Sequence, residues 1–204
     1  MKSSEILFEG PYHIDRDAPA IKLSAFPSIE GLRRENQFLG KLDRLGREFN
    51  FWLSTSKGSA KVTTEAKDDI RQVRQKVVVD LIFQKSASLP VDNEIQVDSV
   101  RTDPAFTGGW LAGTLYIVLA RYGFTVVSDF TQYNGGKALW KKLATESTAR
   151  KYVVKVWDDE SGDWVCTTAG DIVQYNVANL ADDAVWKDID CHDEATTLLV
   201  LSHS

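Results

Sequence analysis

The sequence predicts a mixed α+β fold: a central mixed, twisted sheet flanked by helices, with a helical extension ahead of it. Three observations carry this. Lys76-Val77-Val78-Val79-Asp80-Leu81-Ile82-Phe83 and the run from Glu94 to Arg101 have the branched and aromatic content of strands. From Trp110 to Tyr122 apolar residues recur at three-four spacing, the pattern of a helix burying one face, and Gly123 stops it. Thr125 to Asp129 is then a short buried strand, so strand, helix and strand form a right-handed crossover between parallel neighbours.

The remaining elements follow in chain order. Pro11, Pro19 and Pro27 punctuate residues 10 to 28 and argue for loop or short extended pieces. From Ser28-Ile29-Glu30 onward, Leu32, Phe38, Leu39, Leu42, Leu45 and Phe49 fall near helical spacing, which predicts an amphipathic helix ending near Trp52. Residues 54 to 64 are small and polar and read as a mobile loop or linker, followed by a short helix from Thr64 to about Arg74. On this reading residues 1–64 are an N-terminal extension and 65–204 the main domain.

In the strand from Glu94, Ile95, Val97 and Ser99 share one face and Gln96, Asp98 and Val100 the other. A second helix runs from Gly136 to about Thr145, burying Ala138, Leu139, Trp140 and Leu143. Tyr152 to Trp157 is a strand, Asp158 to Asp163 a hairpin turn into Trp164-Val165-Cys166, and Thr196 to Leu201 the final strand.

Composition narrows the function classes. Over 204 residues, 43% hydrophobic and 26% charged residues are ordinary for a globular domain, and a net charge of −5 disfavours non-specific binding to nucleic-acid phosphates. Cys166 and Cys191 stand apart, and His13, His192 and His203 are scattered, so no metal site is expected. Met1 to Glu5 lack the apolar core of a signal peptide, and no apolar run approaches the ~20 residues of a membrane span, so a cytoplasmic, reduced protein is expected.

The chemistry concentrates between Asp98 and Leu143. Gly108-Gly109 opens the predicted helix, and the N–H groups of such a turn, reinforced by the helix dipole, suit a phosphate. The bland alternative is a tight turn without ligand. Where Trp110 points decides between them: along the helix, it leaves the cradle open; across the N-terminus, it fills it.

With Pro104 ahead of Thr107-Gly108-Gly109-Trp110-Leu111-Ala112, then Leu115-Tyr116, Gly123-Phe124, Ser128-Asp129, Gly135-Gly136 and Leu139-Trp140-Lys141-Lys142-Leu143, residues 76 to 201 resemble the GNAT family of N-acetyltransferases. The Ser-Asp, Gly-Gly and Leu-Trp version is similar to a bacterial and bacteriophage branch. The resemblance implies acetyl-coenzyme A or another acyl-coenzyme A as acyl donor, its pyrophosphate held by Thr107, Gly108, Gly109, Trp110, Leu111, Ala112 and Gly113. It implies an acyl transfer to an amine on a small molecule or protein. Three positions depart from the family pattern: Thr107 replaces Arg or Gln, Trp110 the middle Gly, and Trp140 the tyrosine that protonates the leaving thiolate, which an indole cannot do.

Asp129, at the end of a parallel strand, is placed to orient an amine or a water, or else caps the next turn. Tyr133, on the loop after it, is the nearest hydroxyl for the missing acid. Asp98 or Asp80 would serve as general base if it faces the cleft, and both are spectators if they face solvent. Tyr116, mid-helix, reads as core. Arg33, Arg34, Lys41, Arg44 and Arg47 would form a basic stripe for a nucleic-acid or tRNA substrate, but interspersed acids favour a solvated face. The acidic residues from Asp182 to Glu194 would attract a cation. The competing expectation is a catalytically silent relative that binds a protein partner, and the extension would supply a substrate lid or a homodimer contact.

Overall fold

A computed structural model describes residues 12–14, 17, 20–85, 89–175, 185–188 and 197–203. Strand β1 (Tyr12–Ile14) and helix α1 (Ile29–Glu35) precede β2 (Gln37–Arg44), β3 (Arg47–Ser54), β4 (Ser59–Lys67), β5 (Val73–Lys85) and β6 (Glu94–Thr102). A 3-10 helix over Pro104–Gly109 leads into α2 (Leu111–Arg121), then β7 (Thr125–Val127), β8 (Thr131–Tyr133) and α3 (Asn134–Arg150). The series continues with β9 (Tyr152–Asp158), β10 (Asp163–Trp164), β11 (Lys187–Asp188) and β12 (Thr197–His203).

The protein is therefore mixed α+β, built on a nine-stranded sheet ordered β10-β9-β12-β7-β6-β5-β4-β3-β2. Its neighbouring strands are antiparallel except β6 and β7, the pair joined through α2. A small parallel sheet, β11-β1-β8, lies apart. No described helix is long and apolar enough to cross a membrane.

The first third departs from expectation. Only α1 is helical, capped by Ser28, whose hydroxyl accepts from the Gly31 N–H at 3.0 Å. The rest of the expected amphipathic helix is the hairpin β2–β3, because Leu45 and Gly46 both adopt positive φ (54° and 71°), the geometry of a two-residue hairpin turn. The basic residues thus lie on α1 and a hairpin rather than along one helix. Residues 54 to 64 are not a linker but a turn and most of β4, and the helix expected from Thr64 is β4, a turn and β5. The division expected at residue 64 falls inside β4, which pairs with β5 from Ser59↔Ile82 to Lys67↔Val73.

The polar residues of β4 are buried through a specific network. The Trp52 indole donates to the Thr63 hydroxyl at 2.9 Å, which donates to the Gln75 carbonyl at 2.7 Å, and the Thr64 hydroxyl donates to the Glu48 carbonyl at 2.8 Å. Such satisfied bonds remove the cost of burying hydroxyls.

Alternation along β7, β9 and β12 separates two apolar layers. Val126, Val154, Val156, Leu199 and Leu201 join α2, α3 and the large core, while Val127, Trp157, Leu198 and Val200 form a smaller cluster with Leu89 on the other face. From α2 and α3, Leu111, Leu115, Leu119, Trp140, Leu143 and Ala144 reach the large core; Ala138, expected there, is exposed. Trp157 and Trp186 are buried, in keeping with a packing role.

Candidate functional site

The parallel pair β6–β7 is short, and where it stops the sheet forks. Its register runs only through Glu94↔Thr125, Ile95↔Val126 and Gln96↔Val127. β6 continues to Thr102 along β5, but the β5 register passes from Phe83↔Val97 to Ile82↔Ser99, leaving Asp98 as the extra residue of a bulge. A bulge bends and twists its strand. The expected two-face alternation of β6 breaks here, and Val97 and Val100 both pack on the large core.

On the other arm β7 ends at Val127 and the chain turns toward β12. The Ser128 N–H donates to the Leu199 carbonyl at 2.8 Å, and the Leu199 N–H donates to the Ser128 hydroxyl at 3.0 Å. Gln96 reaches the Ser128 carbonyl at 3.5 Å, pinning the crotch of the fork. Beyond it, the edge of β6 from Val97 to Thr102 that turns away from β5 pairs with no strand among the described residues.

Asp98 and Asp129 stand on the two arms. Asp98 is exposed; Asp129 is half-buried, and its carboxylate accepts from the Phe130 N–H at 2.8 Å, so it does cap its own turn. Burial pushes the Asp129 carboxyl above its ordinary value, and the Asp98 charge adds to this against the pull of the Phe130 and Thr131 N–H groups. Neither carboxylate has an ion pair among the described residues. Tyr116, 1% exposed, lies close enough that burial and then the Asp129 charge push its hydroxyl up. Its ring meets buried Trp140 edge-on at 5.7 Å.

Tyr133 is not on a loop: it ends β8, in register with Ile14 of β1. Asp80 lies away from the fork, paired with Lys61 at 2.5 Å on the opposite sheet face beneath residues 22–36, where there is a cavity of about 720 Å³.

The Gly108-Gly109 turn has a different build from the one expected. Both glycines end the 3-10 helix, and neither has positive φ. The left-handed residue is Trp110 (φ 52°, ψ 33°), immediately before α2, where no side chain caps the helix. Its ring folds back over Gly113: a Cβ there would sit 2.4 Å from the indole. Lys142 of α3 lies 4.6 Å from the ring centroid. Trp110 thus packs along the first turn of α2 and against α3, while a Cβ on Gly108 would meet nothing within 4 Å. Leu111, Ala112 and Gly113 form that first turn, whose N–H groups have no intrahelical acceptor. Thr107 bonds back to the Pro104 carbonyl at 3.2 Å.

Asp103, which the sequence did not single out, anchors the start of this segment. Its carboxylate accepts from the Ala105 N–H at 3.0 Å and pairs with Lys76 at 2.9 Å. Burial pushes this carboxyl up, but Lys76 and the Ala105 and Leu23 N–H groups outweigh it and hold it below the ordinary value. An Asp-Pro pair after a strand was the available signal, as a helix cap. Nothing in sequence marked the Asp98 bulge or the approach of Tyr116 to Asp129.

No family model matches the chain, and no curated protein or solved structure matches it either.

Proposed function

We propose that this protein is an acyl-coenzyme A dependent N-acyltransferase, transferring an acetyl or related acyl group to an amine. The observation that carries the reading is the fork: a bulged strand with a free edge beside a parallel neighbour that ends early. Free main-chain N–H and C=O groups on such an edge pair with amides of an extended ligand as they would with another strand, and the pantetheine arm of coenzyme A is an extended chain with two amides. The left-handed backbone at Trp110 favours glycine, the residue the family resemblance expects there.

In this reading the first turn of α2 and the open space at Gly108 receive the phosphates. The thioester supplies an activated acyl group. Edge N–H groups of β6 polarise its carbonyl. Asp129, its carboxyl raised by burial and Asp98, takes a proton from the substrate ammonium directly or through water. The free amine then attacks the thioester carbonyl, the C–N bond forms as the C–S bond breaks, and coenzyme A leaves as a thiolate. Tyr133, at the end of β8, is the hydroxyl this reading assigns to protonating the leaving thiolate, its own proton being replaced from solvent.

A second reading, a silent relative that binds protein, draws on the same free edge, which would also accept an extended peptide, and on the replacement of the expected tyrosine by buried Trp140. Calorimetric titration with acetyl-coenzyme A and with coenzyme A separates the two. Micromolar binding, lost in Gly108→Trp with the fold intact by circular dichroism, is the expected result. Absence of heat and of thermal stabilisation at millimolar ligand would overturn the acyltransferase reading.

A further inference from the structure

A second site lies on the opposite face of the sheet. Residues 22–28 run along β5 as an extended strap and then enter α1, forming one side of an open cavity of about 720 Å³. The strap is tied at two points: the Val77 N–H donates to the Ala25 carbonyl at 3.0 Å, and the Leu23 N–H donates to the Asp103 carboxylate. The Asp103–Lys76 pair that braces the start of the 3-10 helix therefore also holds this side of the cavity. The volume is in the range of small-molecule sites, roughly 300–1,000 Å³.

Its lining has two parts. Phe26, Pro27, Leu32 and Val77 supply an apolar wall. Lys61 and Asp80 supply opposite charges 2.5 Å apart, with side chains 27% and 29% exposed. Each retains hydrogen-bonding capacity, since an ammonium has three donors and a carboxylate about four acceptor sites. Lys22 and Glu35 also line the cavity, Glu35 being paired with Lys57 at 2.5 Å. A ligand with one charge would meet an opposing charge beside each favourable contact. A ligand carrying both charges a few ångströms apart can align its carboxylate with Lys61 and its ammonium with Asp80.

We infer that this cavity binds a small zwitterion of the amino-acid class, with an apolar side chain against Phe26, Pro27, Leu32 and Val77. The inference does not depend on acyl transfer at the fork.

Three probes of similar shape test it by calorimetry and ligand-observed NMR: L-phenylalanine, phenylacetate and phenethylamine. L-phenylalanine should bind at least about tenfold more tightly than either singly charged probe, a difference of about 1.4 kcal/mol. Lys61→Gln and Asp80→Asn should each lower its affinity by a similar factor. Ser24→Trp, which fills the cavity from an exposed position and leaves the ion pair intact, should abolish binding while circular dichroism and the melting temperature stay close to wild type. Equal binding of all three probes, no binding of L-phenylalanine at millimolar concentration, or binding untouched by Ser24→Trp would overturn the inference.

Discussion

Two aspartates leave adjacent parallel strands and meet opposite fates. Asp103 follows β6, is 2% exposed, pairs with Lys76 and caps the 3-10 helix, so its charge is compensated where it lies. Asp129 stands just beyond β7, is half-buried, faces the like charge of Asp98 and has no cationic partner among the described residues. The same residue type at corresponding strand ends is a clamp in one place and a carboxyl with a raised pKa and no cationic partner among the described residues in the other. What differs is the company each keeps: Asp103 has the smaller exposed area, yet Lys76 and two N–H groups hold its carboxyl down, whereas at Asp129 burial and Asp98 outweigh the N–H groups and push it up.

The largest effect that would test this contrast is removal of the clamp. Asp103→Ala leaves the Lys76 charge in a nearly closed site and should cost about 3 kcal/mol, read as a fall in melting temperature of about 10 °C. A loss below about 1 kcal/mol would mean the pair behaves as a surface pair and the contrast fails.

Asp129→Asn should leave stability unchanged or slightly raised, because the uncharged amide avoids the burial penalty. If the acyltransferase reading is right, turnover should drop on the order of a hundredfold. Destabilisation matching that of Asp103→Ala would show Asp129 to be a second clamp.

Between the two aspartates sits Trp110. Gly113→Ala puts a methyl group into its ring and should cost about 2 kcal/mol, whereas Trp110→Gly relieves the left-handed backbone and makes the room. The double variant should recover most of the loss, and simple additivity in denaturant melts would contradict the packing described.

The smallest effect is in the pH dependence of stability. Asp103, depressed in the folded state, contributes stability that is present above its unfolded value near ~3.9 and lost as pH falls through the folded value. Asp129, raised when folded, contributes stability that is full below its unfolded value and lost as pH rises through the folded one. Asp103→Asn should therefore flatten the acid limb, and Asp129→Asn should remove a decline on the rising side. Parallel shifts in both variants would break the comparison.

Much of the crossover was legible from sequence, since β5, β6, α2, β7 and α3 each carry strong periodicity or a glycine stop at the expected place. The first third was not, for two physical reasons. Phe38 and Trp52 pack on one face of the β2–β3 hairpin, 5.1 Å apart, while Phe49, Phe51 and Leu53 pack on the other. Apolar residues on both faces mimic helical spacing. β4 is rich in Ser and Thr, which look like loop until Thr63 finds Trp52 and Gln75 across two neighbouring strands. At the candidate site, the sequence singled out Asp98, Asp129 and the 107–113 segment as candidates, but it marked neither the bulge that exposes Asp98, nor the clamp at Asp103, nor Trp110 as the left-handed residue. These depend on register and on contacts distant in sequence. The expected roles of Asp182 to Glu194 as a group, Cys191 and His192 lie outside the described residues.

The position of β12 has a consequence for how the molecule is made. β12 lies between β7 and β9 and pairs with both, although it follows both in the chain, and its bond to Ser128 spans 71 positions. Until it is synthesised, β7 has an unsatisfied edge in what will become the middle of the sheet. At ordinary ribosomal speed that interval lasts on the order of ten seconds. Closure of so long a loop is intrinsically slow, and an open strand edge is a template for wrong partners. The nascent chain should thus depend on chaperones until β12 emerges, and a ribosome stalled between β9 and β12 should hold a protease-sensitive, half-built sheet.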